Sequence, residues 1–245
     1  MTDDAGRRWV VTGASRGIGA AIARRAYDAG DRVAVLSRGA DADQVLADYG
    51  RRALAVAADV SDPESLAAGV DQVTEAWGGV DVLVNNAGLH RGGKVTSIPR
   101  QDWLDVLSTN LVGAFDMVRA VVPAMPAGGA IVNVGAVVGL RGFRGDTAYA
   151  SAKAGLNGLT FALAMELARQ GIRVNVVIPG FTVTEMTGSL TDKARDSIVQ
   201  RIPLGRPAEA SEIADVVFAV AGATYMTGAL IPVDGGLMAA LGSAQ

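Results

Sequence analysis

Short runs of apolar, mostly β-branched residues recur along the chain: Trp9-Val-Val, Arg32-Val-Ala-Val-Leu, Ala53-Leu-Ala-Val, Val80-Asp-Val-Leu-Val, Ala130-Ile-Val-Asn-Val, Arg173-Val-Asn-Val-Val and Ala229-Leu-Ile-Pro-Val. They are largely continuous rather than alternating, the pattern of strands buried on both faces of a parallel sheet. Between them, polar and apolar positions fall into helical spacing over ten or more residues, as from Ile18 to Ala29 and from Ser61 to Trp77. Asp62-Pro63-Glu64 supplies the second of these helices with an N-cap, a proline at its first position and an acid in its first turn. Regular alternation of strand and helix predicts right-handed crossovers and an α/β fold, a doubly wound three-layer αβα sandwich on a seven-stranded parallel sheet.

No linker, repeat or low-complexity stretch interrupts the pattern, so residues 1–245 are expected to form a single domain. The segment from Phe181 to Arg206 departs from it, being rich in Thr, Ser, Gly and charge with one helical patch around Lys193 to Arg201. Following a late strand, where open α/β sheets bind their ligands, it is expected to act as a lid.

Composition narrows the chemistry. The chain has no cysteine and one histidine, His90, which excludes disulfides, thiol catalysis and a His- or Cys-rich metal site. A net charge of −3, with basic residues scattered, argues against nucleic acid as a partner. Asp116, Arg119 and Asp215 interrupt the longest apolar stretches, so no membrane span is expected, and residues 1–8 lack the apolar run of a signal peptide, so none is expected either. The expected setting is the cytoplasm. Glycine, at 31 of 245 residues, exceeds the usual ~7%.

Those glycines matter where they fall. The first strand runs into Thr12-Gly13-Ala14-Ser15-Arg16-Gly17-Ile18-Gly19, at the start of a helix. Glycines let such a turn approach a pyrophosphate closely, and the helix N-terminus presents free N–H groups to it. An acid at the end of the second strand would bind the ribose hydroxyls of NAD. Here the chain has Ser37-Arg38 instead, with Arg16 inside the turn, and two guanidinium groups suit a 2′-phosphate. The expected cofactor is NADP(H).

Tyr149 and Lys153 are spaced to share one helical face, and an adjacent ammonium favours phenolate. A phenol so tuned can exchange a proton with a substrate oxygen. Alone, the spacing is equally that of a surface pair. It occurs in order with Thr12-Gly13-x-x-x-Gly17-Ile18-Gly19, Asp59-Val60, Asn85-Asn86-Ala87-Gly88, Asn110 and Pro179-Gly180. Together these closely resemble the short-chain dehydrogenase/reductase family over essentially the whole chain, which implies a Rossmann-type fold. Tyr-Ala-Ser-Ala-Lys-Ala-Gly, Arg173-Val-Asn-Val-Val-Ile-Pro-Gly-Phe and Ile231-Pro-Val-Asp-Gly-Gly look most like its 3-oxoacyl-carrier-protein reductase branch.

The resemblance implies roles. Tyr149 would give a proton to a carbonyl, Lys153 would hold the nicotinamide ribose and lower the Tyr pKa, and Asn110 would help position a water linking Lys153 to solvent. Gly13, Ser15, Arg16, Ile18 and Gly19 would hold the phosphates and Ser37 and Arg38 the ribose phosphate. Asp59 and Val60 would flank the adenine, and Asn86, Ala87 and Gly88 would support the cofactor. Pro179, Gly180 and Thr182 would meet the carboxamide. One position departs from the family: Gly135-Ala136-Val137-Val138-Gly139 has Ala136 where the catalytic serine belongs. Loss of one such donor typically costs ~10²–10³ in turnover. Two origins fit: an engineered Ser→Ala change, or a natural variant that is slow, borrows another donor or no longer catalyses. Ser151 points away on a helix, while Thr147 is a possible stand-in.

The implied reaction is NADPH-dependent reduction of a ketone, most simply a 3-oxoacyl thioester of fatty-acid or polyketide type. Rival readings are an alcohol, sugar or steroid dehydrogenase and a silent NADP-binding subunit. An acidic acyl carrier protein would meet Arg91, Lys94, Arg141 and Arg144, whose bland reading is solvated charge. Met125-Pro-Ala-Gly-Gly-Ala replaces the basic text expected before the fifth strand. Small residues at Ala150, Ala154 and Gly158, with Leu163 and Leu167 beyond, suit the helix pairing of a homotetramer. His90 is read as a rim or loop residue without a catalytic role, within reach of a substrate.

Overall fold

The structure of the chain, a computed structural model, describes residues 6–39, 49–188 and 191–240. Seven strands, β1 (Arg8–Thr12), β2 (Arg32–Ser37), β3 (Ala53–Ala57), β4 (Val82–Asn85), β5 (Ala130–Val134), β6 (Arg173–Pro179) and β7 (Leu230–Val233), form one sheet in the order β3-β2-β1-β4-β5-β6-β7. Every pairing is parallel. The Rossmann-type expectation holds. Where the winding reverses, β1 and β4 are neighbours, with Val11 opposite Val84. Open α/β sheets bind ligands in the crevice above the carboxyl ends of such a pair.

Alternate side chains of β1 feed two cores. Trp9 and Val11 join Ile22 and Ala23 of α1 (Gly17–Asp28) and Ile213 and Val217 of α9 (Ala210–Gly222) on one face. Val10 joins Leu66 of α2 (Pro63–Trp77), Met117 of α4 (Gly113–Val121) and Leu163 of α6 (Thr147–Leu167) on the other. This is why the strands read as unbroken apolar runs: both faces are covered. Asp62 caps α2 as expected, accepting from the backbone N–H of Glu64 and Ser65. Leu163 and Leu167, assigned above to a helix-pairing stripe, lie in this core instead. They fall on the inner face of α6, whereas Ala154, Gly158, Phe161 and Met165 are exposed on the outer one.

The helical run Arg100–Ala124 is long and apolar enough, by length and composition, to cross a membrane. Here it is broken into α3 (Arg100–Leu107), a π-helical turn at Ser108–Val112 and α4, and it lays Met117 and Val121 fully buried against the sheet. The 181–206 excursion carries two short helices, α7 (Glu185–Gly188) and α8 (Asp192–Val199), where one patch was expected.

At their amino ends β1 and β4 are locked by Arg8, whose Nε and Nη2 each donate to Asp81 at 2.7 Å. Burial would raise the Asp81 carboxyl, but the hydrogen bonds from Arg8 outweigh it and hold its pKa below the ordinary value. A carboxylate with a depressed pKa stabilises the fold above its unfolded pKa and loses that contribution as pH falls through the folded value. Asp81→Ala is therefore expected to cost about 1–3 kcal/mol at pH 7. Urea titrations should show the difference from the parent chain shrinking toward pH 3.

Candidate active site

The crevice is built from the carboxyl ends of β1 and β4. Thr12 Oγ donates to Val84 O at 3.3 Å and accepts from the N–H groups of Asn86 and Ala87, both at 3.0 Å. Asn86 returns the contact, its Nδ2 donating to Thr12 O at 3.0 Å and Gly13 O at 3.1 Å. The two loops come so close that side chains are excluded. A Cβ on Gly13 would stand 2.8 Å from Ala87 Cα, and one on Gly19 would stand 2.4 Å from Asn86 Nδ2. Gly13 and Gly17 also take φ of 62° and 56°, in the left-handed region.

Past this turn, α1 opens on an extended Arg16 with no side-chain cap and no acid in its first turn. A glycine cradle leading to uncapped amides fits a pyrophosphate. Ser15 and Ile18 flank the turn half-buried. Arg16 is exposed and its Nε lies 3.1 Å from Glu185 Oε2 of α7, so the excursion reaches back to the phosphate turn. Ser37 is buried, with Oγ 3.4 Å from Gly39 O, while Arg38 is exposed. Burial raises the Asp59 carboxyl, yet hydrogen bonds from Ser61, helped by the charge of Arg38, bring its pKa below the ordinary value. Asp59 and Arg38 thus share the far edge of the crevice, with Val60 buried beside them against Gly113.

At the other end, α6 follows β5 and places Tyr149 half-buried and Lys153 3% exposed. Lys153 Nζ donates to Val134 O at 2.8 Å and lies 5.6 Å from the centroid of the Tyr149 ring. Burial pushes the Lys153 ammonium down to about 8. Burial, with Asp146 adding its negative charge, pushes the Tyr149 phenol up to about 12. The expected lowering of the phenol by Lys153 is therefore not present in this arrangement. Desolvation of the phenolate wins, and Tyr149 is a neutral phenol at pH 7.

Asn110 sits in the π-helical turn and is 2% exposed. Its side chain clamps Leu89, accepting from Leu89 N at 2.8 Å and donating to Leu89 O at 2.7 Å. That ties the loop after β4 to the π-helical turn. A cavity of about 10 Å³, the size of one water, lies between Thr12, Asn85, Thr109 and Asn110. Ala136 lies just beyond β5, half-buried, and Gly139 packs so tightly on α6 that a Cβ there would stand 2.7 Å from Lys153 C. Gly88 closes the same corner: a Cβ on it would be 3.2 Å from Asn110 Oδ1. Pro179 O accepts from Val137 N at 3.1 Å, and Gly180 N donates to Val233 O at 2.9 Å. Thr182 is buried, with Oγ 3.4 Å from Gly180 O.

The residues expected to hold the cofactor thus follow the carboxyl ends of β1 to β6, with Asn110 on the π-helical turn and Tyr149 and Lys153 on α6. Three contributors were missed. Thr12 was visible only as the residue before the first glycine. Glu185 and Asp146 gave no signal, because their partners are remote in sequence. Among the described residues no cluster suited to a metal ion occurs.

A crevice at the sheet's switch point, with a phosphate cradle at one end and a buried Tyr–Lys pair at the other, defines a dinucleotide-dependent oxidoreductase class. The family profile described as Enoyl-(Acyl carrier protein) reductase matches residues 13–238. The 3-oxoacyl-(acyl-carrier-protein) reductases FabG of Vibrio cholerae and of Escherichia coli are each 40% identical over 237 residues, covering 95% of this chain and 97% of theirs. A blue fluorescent protein from a metagenomic library, solved in complex with NADPH, superposes with a TM-score of 0.90 at 37% identity, over 95% of this chain and 98% of that one. A mutant short-chain dehydrogenase/reductase of Serratia marcescens has the same TM-score and coverage at 34% identity. The chain belongs to the short-chain dehydrogenase/reductase family.

The buried ammonium yields a stability prediction. Between pH 8 and 10.5 the unfolded chain retains the Lys153 proton that the folded chain has lost. The penalty for burying the charge is thus fully present below pH 8 and relieved as pH rises toward 10.5. Lys153→Met is expected to be more stable than the parent by about 1–3 kcal/mol at pH 7. Urea titrations should show that gain fading by pH 10.5, and a loss of stability at pH 7 would contradict it.

Proposed function

We propose that the chain reduces the keto group of a 3-oxoacyl thioester to the alcohol with NADPH. The observation that carries the reading is the convergence of Tyr149 and Lys153 with the glycine cradle on one crevice. Its support is the 40% identity to the FabG reductases and the NADPH complex of the metagenomic relative. Gly13, Gly17 and Gly19 let the backbone close on the pyrophosphate, Arg16 and Arg38 supply cations for a 2′-phosphate, and Asp59 and Val60 border the adenine. Thr182, Pro179 and Gly180 flank the nicotinamide end. When bound, the cofactor supplies a hydride to the carbonyl carbon.

The chain's own part is the proton. Tyr149, neutral at pH 7, donates its hydroxyl proton to the carbonyl oxygen. Lys153 keeps a positive charge against that face as negative charge develops on the phenol, which favours the transfer. No hydroxyl comes from Ala136, so turnover is slow relative to a serine-bearing relative. That same absence favours, as the second reading, an NADP-binding subunit without turnover.

The segment 181–206 closes over the cofactor as a lid, Glu185 releasing Arg16 when a phosphate takes its place. A carrier protein has less to hold than the sequence implied, because Arg91 is paired with Asp102 and Asp105 and Arg141 donates to Leu237 O. Arg144 and Lys94, exposed like the other two, complete that rim. The apolar outer face of α6, with Phe161 and Met165, and Phe115 of α4 form the subunit contact of a homotetramer acting in the cytoplasm.

NADPH oxidation with an acetoacetyl thioester tests the reading. Ala136→Ser is expected to raise turnover a hundredfold or more, and Tyr149→Phe to remove it. Binding of NADPH without turnover in both the parent and the Ser form sinks the thioester reading.

A further inference from the structure

One polar pair beside Tyr149 has no part in the proton transfer just described. His90, the chain's single histidine, places Nε2 2.9 Å from Asp146 Oδ1. Its ring meets Tyr149 edge-on, with centroids 5.2 Å apart and planes at 80°. The pair is held from both sides. Asn110 clamps the adjacent Leu89 through both backbone groups, and Gly93 N donates to Gly145 O at 2.7 Å, next to Asp146. The fit at Gly92 is close, since a Cβ there would stand 3.3 Å from Asp146 Oδ1 and 3.4 Å from His90 Cε1.

This loop and the one that carries Ala136 leave adjacent strands at the same end of the sheet. Asn85 of β4 pairs with Asn133 of β5, so Gly88 and Ala136 each lie three positions past a paired residue, and His90 follows two positions later. Asp146 is the inner member of the pair, 16% exposed in its side chain, and His90 the outer one at 38%. We propose that His90, held by Asp146, is the second hydrogen-bond donor to the substrate's carbonyl oxygen, in the part that a serine hydroxyl at 136 would play. The inference rests on the ketone-reduction reading and adds a catalytic residue to it.

The chemistry follows from the ring's two nitrogens. With Nε2–H directed at Asp146, a neutral imidazole offers Nδ1 only as an acceptor; the imidazolium offers Nδ1–H as a donor. The hydrogen bond to Asp146 raises the His90 pKa and outweighs the opposing effect of burial. The other charged or titratable groups on the packed elements are Tyr149 and Lys153 of α6 and Arg91, which is itself tied to Asp102 and Asp105 of α3. His90 keeps its proton throughout; Tyr149 supplies the one that is transferred. The donor is therefore present below the raised His90 pKa and lost as pH rises through it.

A four-member cycle of the parent, His90→Gln, Ala136→Ser and the double variant tests this, with NADPH oxidation by the acetoacetyl thioester followed from pH 6 to 9. His90→Gln is expected to lower kcat at least about 10-fold with alanine at 136 and less than about 3-fold with serine there. The alkaline fall in the parent should track the pKa of the lone imidazole resonance in proton NMR and disappear in Ala136→Ser. Equal losses in both backgrounds overturn the proposal and make His90 a loop pin. Should His90→Gln unfold, Asp146→Asn replaces it, and is expected to lower the imidazole pKa and the rate together. The NMR titration also separates the two levels of failure. An imidazole pKa at or below 6.5 overturns the donor role whatever the thioester assay gives. A higher value that falls in Asp146→Asn, with no thioester turnover in either residue-136 form, sustains the pair and refutes the substrate.

Discussion

The parting between β1 and β4 governs the rest of the structure. Parallel winding that reverses direction there must leave a crevice, since the connections depart to opposite sides. Two polar locks keep that crevice from varying in width: Arg8 with Asp81 at the amino ends, and Thr12 with Asn86 at the carboxyl ends. Between them the strands are wholly apolar and buried. The glycines at 13 and 19 are consequences of the upper lock, because loops drawn that close have no room for a Cβ.

The reactive end trades stability for chemistry. A lysine 3% exposed, with one backbone acceptor, is an unfavourable group to bury, and its proton is loosened accordingly. The same desolvation tightens the proton on Tyr149. The two groups are driven in opposite senses by one environment, the pattern that lets adjacent side chains take distinct acid and base roles.

Much of this was legible in the sequence, and the divide is one of range. Strand positions, the capped start of α2, the glycine turn and the Tyr149–Lys153 face all follow from local spacing, and each lies where the pattern put it. The π-helical turn around Asn110 could not be read, because it is set by a clamp on Leu89, 21 residues away. The pairing of His90 with Asp146 could not be read either, because its partner lies 56 positions on. The Lys153 effect on Tyr149 was anticipated from charge alone, whereas burial, a property of the whole fold, sets the direction here.

The most direct test of the crevice as an NADPH seat is calorimetric titration of the chain with NADPH and with NADH. The account predicts NADPH binding at least about tenfold tighter, with Arg38→Ala removing most of that preference and leaving NADH affinity unchanged. Equal or tighter binding of NADH, or no binding of either, would contradict it.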